Sequence, residues 1–301
     1  MQESLPLFDP PPANRLLIVD GHAYAYRAFY AIRQLVSPNG KATNAIYGFI
    51  KMLAKMRATI QPSHVIIVWD GGLAVERMAL WAEYKAQRPA MPTALEVQLD
   101  EIVAYLRAAS ISSFCETGIE ADDWIATMSR QAVAAGVRVI IASSDKDFMQ
   151  LVSSDVALLN PGDKSETLWG PRQVKEKTGV EPSQIVDWLS LIGDTVDNIP
   201  GVPGVGGKTA ADLLRQFGSV NELYRRLNEV KSDRLRFNLK AAESIVRRNQ
   251  QLICLKDDLP CDFSLPLLTA KSGKYDDLRG LFSEWGFKSL LSELERSHGL
   301  L

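Results

Sequence analysis

Cysteine is scarce in this chain: Cys115, Cys254 and Cys261 are the only three in 301 residues, and they are scattered. That excludes a disulfide framework and a paired metal clip, and it fits a reducing, cytoplasmic setting. Histidine is equally rare, with His22, His64 and His298 alone, which argues against an imidazole-rich zinc centre. No apolar run approaches a membrane span, and the N-terminus lacks the basic-then-apolar pattern of a signal peptide, so no membrane partner is expected. Internal repeats and low-complexity tracts are absent as well. Net charge is only −2, with 46% hydrophobic and 23% charged residues, the profile of a soluble globular chain long enough for one large domain or two modest ones.

Against these absences stands a clear alternation. "RLLIVD" (15–20), "HVIIVWD" (64–70) and "VRVIIASSD" (137–145) are short β-branched runs that end in an acid, as expected of strands buried on both faces. "SSFCE" (112–116) is a further strand. Helical spacing covers 43–59, 93–109, 121–135 and 145–152, so the pattern predicts an α/β fold with a mostly parallel, doubly wound sheet. Beyond about residue 171 strand signals stop and a helical C-terminal portion is expected. The organisation read from this is a proline-rich disordered tail over 1–14, an α/β core over 15–170 and a helical portion over 171–301.

Open α/β sheets bind ligands outside the carboxyl ends of their strands, which is where Asp20, Asp70 and Asp145 are expected. "GIEADDWIAT" (118–127) adds Glu120, Asp122 and Asp123 at the start of the helix after a strand, one acid more than first-turn capping requires. "SSDKDF" adds Asp147, and "LIGDTVDNIPG" adds Asp194 and Asp197, making nine carboxylates aimed at one crevice. Such a cluster requires counter-charge, and its hard oxygen donors suit Mg²⁺, with Mn²⁺ as substitute. Nine acids suit two ions, the arrangement that supports in-line phosphoryl displacement. With those nine set aside, 34 Lys and Arg face 27 acids, a balance of +7 that suits a polyphosphate substrate. Residues 215–248 alone carry nine cations against four acids, either a solvated helical face or a phosphate-binding surface.

"IPGVPGVGGKTAADLL" (199–214) superficially looks like a nucleotide-binding P-loop. That loop needs a glycine at 202, where Val202 stands, and must follow a strand, whereas "SQIVDWLSLIG" has helical spacing. A helix–hairpin–helix over about 184–216 fits better. Gly201, Val202, Gly204, Val205 and Gly206 would turn the hairpin and offer backbone N–H groups to a phosphate, and the helix start adds Lys208 and Thr209.

Taken in order, "LLIVDGHAYAYRAFYAI", "VWDGG", "EYKAQRPAMP", "GIEADDWIAT", "SSDKDFMQLV" and "GDTVDNIPGVPGVGGKTA" resemble the 5′-nuclease domain of bacterial DNA polymerase I, in the flap endonuclease superfamily, over about residues 15–297. The resemblance implies a PIN-like core and metal-dependent 5′→3′ exonuclease and flap endonuclease activity on DNA with a 5′ flap, gap or nick, and on RNA-primed DNA, in replication and repair. It assigns Asp20, Asp70, Glu120 and Asp122 to a first metal region, Asp145, Asp147, Asp194 and Asp197 to a second, and Asp123 to a place between them. Lys85, Arg88 and Arg27 match basic residues at the scissile phosphate, and Tyr84 an aromatic position where a terminal base could stack; Arg27 could equally be a surface cation on the first helix, and Tyr84 could equally pack under the arch. A helical arch is implied over about 73–92, and a K⁺ ion at the hairpin. No polymerase follows, which reads as a stand-alone, monomeric nuclease at the bacterial nucleoid. "SLPLF" (Ser4–Phe8) resembles peptides that dock into sliding clamps. Two other readings remain open: a non-catalytic DNA-junction module, which need not keep nine acids, and a PIN-like ribonuclease, which uses fewer and lacks the hairpin region.

Overall fold

The computed structural model describes residues 14–72, 74–159, 167–261, 264–269 and 271–299; the expected tail and its Ser4–Phe8 segment lie outside them. The sheet comprises β1 (Arg15–Asp20), β2 (His64–Trp69), β3 (Ser112–Cys115), β4 (Arg138–Ala142), β5 (Val156–Leu159) and β6 (Leu168–Trp169). Its order is β3-β2-β1-β4-β5-β6, parallel except for the antiparallel β5–β6 pair. The chain therefore reverses winding direction between β1 and β4, and a crevice opens there at the strands' carboxyl ends.

The connecting helices are α1 (Gly21–Ala31), α2 (Asn44–Ile60), α3 (Val75–Leu80), α4 (Thr93–Ala108) and α5 (Ala121–Ala134). Side chains alternate across a strand, so neighbouring residues of β1 enter different cores. Leu17 and Val19 join Phe49, Leu53 and Leu106 on the α2/α4 face. Leu16 and Ile18 join Trp124, Ile125 and Phe148 on the α5 face, and that core continues into Val174, Leu189 and Leu214 of the helical portion. The stretch predicted as a helix over 145–152 is a 3₁₀ helix, Lys146–Leu151.

The helical portion contains α6 (Pro171–Thr178), α7 (Ile185–Ile192), α8 (Gly207–Phe217), α9 (Val220–Arg225), α10 (Asp233–Ala241), α11 (Glu243–Ile253), α12 (Tyr275–Glu284) and α13 (Lys288–Ser297). Two features depart from the sequence reading. A minimal strand pair, β7 (Gly193–Asp194) with β8 (Ile199–Pro200), interrupts the helices and closes a short strap. The last two helices also leave the hairpin region. Leu278, Phe282, Trp285, Phe287 and Leu290 are buried in the α2/α4 core, and Tyr47 and Lys51 of α2 bond Ser289 and Glu293. Apolar burial thus assigns α12 and α13 to the α/β core, not to a DNA-binding unit running to 301. Among the described residues no helix is long and apolar enough to cross a membrane.

Candidate active site

Six of the nine predicted acids, Asp20, Asp70, Asp122, Asp145, Asp194 and Asp197, line one crevice of about 620 Å³ at the switch point. Each is placed by local structure. Asp20 ends β1 and caps α1, accepting Ala23 N–H at 3.0 Å, while its other oxygen accepts the Ser143 hydroxyl at 2.8 Å. Asp70 follows β2 and accepts Ala121 N–H at 2.9 Å, so it fixes the start of α5 and thereby Asp122. Asp145 follows β4 and accepts Asp147 N–H at 2.9 Å. Asp194 and Asp197 come from the strap, where Asp194 accepts Val196 N–H at 2.9 Å.

Burial and crowding disfavour charge here. The Asp20 carboxyl is pushed up to about 6, chiefly by burial, with Asp70 and Asp145 adding repulsion and two hydrogen bonds opposing it. Burial likewise pushes Asp122 and Asp147 well above the usual carboxylate range, with Asp145 the leading neighbouring charge for both. Asp145 is also raised, by burial first and by Asp197 and Asp194 among its neighbours. Asp147 is not part of the crevice lining, and its Oδ1 is buried without any hydrogen-bond partner.

The chain's own cations answer part of this charge. Lys85 and Arg77 both pair with Glu120, Arg88 pairs with Asp197, and Lys146 Nζ lies 3.1 Å from Asp194. Among the described residues no three His, Cys, Asp or Glu side chains are gathered into one cation cage. The donor set is nonetheless all carboxylate oxygen, with one oxygen orphaned and several carboxyls resisting ionisation. Those properties fit a hard divalent cation, and Asp20, Asp70, Asp122, Asp145, Asp147, Asp194 and Asp197 are the residues that would hold it.

Several expectations require correction. Asp123 points away from the crevice: both its oxygens accept from Arg77 at 2.7 Å, and Oδ1 also accepts Lys256 N–H at 2.9 Å. Helical geometry explains it, because adjacent residues lie about 100° apart on the helix and cannot share a face. Arg27 lies exposed on α1, outside the crevice lining. Tyr84 is only 7% exposed, and its hydroxyl reaches Glu120 at 3.2 Å and Asp197 at 3.4 Å, so no base can stack on it in this conformation. The predicted helical arch has one six-residue helix, α3, followed by turns. The segment is held inward by Lys85 on Glu120 and Arg88 on Asp197, and by bonds to the strap: Lys85 N–H donates to the Asp197 carbonyl at 3.0 Å, and Asn198 Nδ2 to the Glu83 carbonyl at 2.8 Å.

The hairpin joins α7 to α8, with Trp188 Nε1 donating to the Gly207 carbonyl at 2.9 Å. Gly201 is required by close packing, since a Cβ there would lie 2.2 Å from the Ile192 carbonyl oxygen. Gly204 is left-handed at φ +80°. Val202 and Val205 are buried, and their N–H groups already donate to Leu191 and Val202 carbonyls. The donors left to face a phosphate include those of Gly204, Gly206, Gly207, Lys208 and Thr209, the last three in the first turn of α8, where no intrahelical acceptor exists.

Residues the sequence reading missed include His22, whose Nδ1 accepts Asp70 N–H at 3.1 Å and which burial keeps below its usual pKa. Tyr26 lines the crevice and stacks with Tyr30 at 6.5 Å; their i,i+4 spacing in "AYAYRAFYAI" was the available signal. Arg77 is buried at 6% exposure and also donates to the Leu252 carbonyl at 2.8 Å. Nothing in the sequence distinguishes it from a solvated arginine.

An acidic crevice at the switch point of a parallel sheet, continuous with a helix–hairpin–helix, defines a resolvase-like α/β fold joined to a SAM-type helical portion. Family models agree: a 5′-3′ exonuclease N-terminal resolvase-like domain matches residues 15–179, and a 5′-3′ exonuclease C-terminal SAM fold matches 180–276. The chain belongs to the 5′-3′ exonuclease family. It is 36% identical over 281 residues to a 5′-3′ exonuclease of Aquifex aeolicus, covering 93% of this chain and 95% of that one. It is 37% identical over 283 residues to DNA polymerase I of Bacillus subtilis and 39% over 293 to that of Pseudomonas aeruginosa, covering 93% of this chain in each case. This chain spans about a third of those polymerases, 32% and 31%. A zinc-bound T5 5′-exonuclease shares the fold with TM-score 0.68 at 22% identity over 94% of this chain and 98% of that one. The catalytic core of Rad2 with DNA substrate shares it with TM-score 0.63 at 16% identity, over 93% and 92%.

Proposed function

We propose that the chain hydrolyses phosphodiester bonds near the 5′ ends of DNA, as a 5′→3′ exonuclease and flap endonuclease that also removes RNA primers. The single observation that carries this reading is the meeting of six carboxylates, from three strand ends, the start of α5 and a strap, in one crevice that Lys85 and Arg88 also line. Two Mg²⁺ ions, with Mn²⁺ as substitute, would lie among these carboxylates and supply Lewis-acid stabilisation of the attacking and leaving oxygens. Lys85 and Arg88 exchange Glu120 and Asp197 for the non-bridging oxygens of the scissile phosphate, where their charge counters what develops in the transition state. Ser143 and Ala121 N–H hold Asp20 and Asp70 in place during that exchange.

The hairpin grips the backbone through Gly204, Gly206, Lys208 and Thr209, with K⁺ as a further aid, and needs no base contacts to do so. Flapped, gapped, nicked and RNA-primed duplexes are the substrates in this reading, acted on by a monomer at the nucleoid. Docking of Ser4–Phe8 into a sliding clamp belongs to the same proposal and falls outside the described residues. The test is a labelled 5′-flap duplex with Mg²⁺. Cleavage near the junction is expected, with Asp145→Ala abolishing cleavage while retaining binding. Tight binding by the unaltered chain without cleavage overturns the reading in favour of a junction-binding module.

A further inference from the structure

The nine cations of residues 215–248 are sorted by the structure into two groups. Five are matched by acids: Arg215 by Asp212, Arg225 by Glu222, Arg226 by Glu229, Arg236 by Asp233 and Arg247 by Glu243. Arg248 is spent on the Trp81 ring, 3.8 Å from its centroid. The remaining three, Lys231, Arg234 and Lys240, are exposed and make no ion pair among the described residues. All three lie on or just before α10. The surplus charge of the whole stretch is therefore concentrated on one short helix.

That helix carries a second anomaly. Phe237 is 72% exposed, the most exposed large apolar side chain among the described residues. It sits three residues from Arg234 on one side and three from Lys240 on the other, so cation, aromatic and cation follow one another along one exposed face. The helix is fastened beside the hairpin: Asn238 Nδ2 donates to the Pro203 carbonyl at 2.9 Å and would lie 3.8 Å from a Cβ on Gly204. Arg234, one turn before Asn238, projects from the same side of α10 as that contact.

We propose that α10 is a second nucleic-acid contact, in which Arg234 and Lys240 bind phosphates on the two sides of a duplex minor groove while Phe237 lies against the sugar edges between them. The site rests on the nuclease reading and extends it. A rise of about 9 Å between residues six apart is enough for two long cationic side chains to straddle a groove about 6 Å wide. An exposed phenylalanine between unpaired cations suits a polyanion that also presents apolar sugar faces, and apolar side chains inserted at the minor groove are an established mode of grip. Lys231 extends the same positive edge.

The test uses the full chain carrying Asp145→Ala, so that a flap duplex is bound in Mg²⁺ without being cut, and measures affinity across a salt series. R234Q/K240Q should lower the slope of log affinity against log salt by about 1.8, the loss of two phosphate contacts. Phe237→Ala should weaken binding about fivefold to tenfold and leave that slope unchanged. In the catalytically intact chain the same substitutions should raise KM and leave kcat within twofold. Lys208→Gln serves as the hairpin control. Weakening by Lys208→Gln, with the α10 variants indistinguishable from the parent, overturns the α10 site alone. Failure of the parent to bind the duplex at all overturns the nuclease reading and this site with it.

Discussion

Replacing Asp20 by asparagine should make the protein more stable in the absence of divalent cations while destroying its activity. The carboxyl of Asp20 is raised from 3.8 to about 6 in the folded chain, mainly by burial. A folded acid that holds its proton more tightly than the unfolded chain contributes stability below pH 4, and that stability is lost as pH rises through about 6. A rise of that size corresponds to about 3 kcal/mol. Asparagine is neutral at every pH and is itself a good helix cap. Its amide oxygen can still accept Ala23 N–H, and its amide nitrogen can donate to Ser143, whose hydroxyl reverses. For a chain of this size about 3 kcal/mol corresponds to roughly 6 °C in Tm. Thermal unfolding in chelator from pH 4.5 to 7.5 should therefore show the parent losing stability against Asp20→Asn as pH rises, with Asp20→Asn about 6 °C higher at pH 7.5. Adding Mg²⁺ should raise the parent and close the gap. An Asp20→Asn melting temperature equal to or below the parent's in chelator at pH 7.5 would refute the argument that this carboxyl is held there at a cost.

Two further substitutions probe the supports of the site. Arg77→Met keeps an apolar stem but strands Asp123 and half of Glu120, so urea unfolding should show a loss of about 3–5 kcal/mol, partly recovered by adding Asp123→Asn. Gly201→Ala sets a Cβ against the Ile192 carbonyl oxygen, 2.2 Å away; it should lower Tm and weaken duplex binding together, whereas Gly206→Ala, with open space at its Cβ, should leave Tm within a degree or two.

Legibility in the sequence followed the range over which each residue's environment is determined. β1, β2 and β4 were readable because burial on both faces leaves continuous apolar runs, and an acid directly after such a run can only emerge at the strand's carboxyl end. Asp20, Asp70 and Asp145 were therefore locatable without coordinates. Glu120 through Asp123 were visible as a cluster but not separable, since only the rotation of α5 decides that Asp122 enters the crevice and Asp123 meets Arg77. The placement of α12 and α13 depends on partners more than 200 residues distant, such as Lys51 for Glu293, and amphipathic spacing names no partner. Tyr84 and Lys85 look like a surface pair in sequence, and only the fold shows that Tyr84 packs into the core with its hydroxyl on Glu120 while Lys85 turns in to pair with the same acid. The same holds for the residues around 215–248, whose pairing could be sorted only once the helices had faces.

The strap closed by β7 and β8 has one more consequence. Asp197 lies within it and Gly204 in the hairpin that follows, seven residues on, so fully extended chain separates them by at most about 25 Å. Duplex DNA rises about 3.4 Å for each base pair along one strand. In a nuclease of this design the nearest edges of the grip and of the cutting site, Gly204 and Asp197, are then no more than about seven base pairs apart, set by a length of backbone rather than by any base. The chain would carry its own ruler, and inserting a residue between Ile199 and Gly201 would move the mark on the DNA.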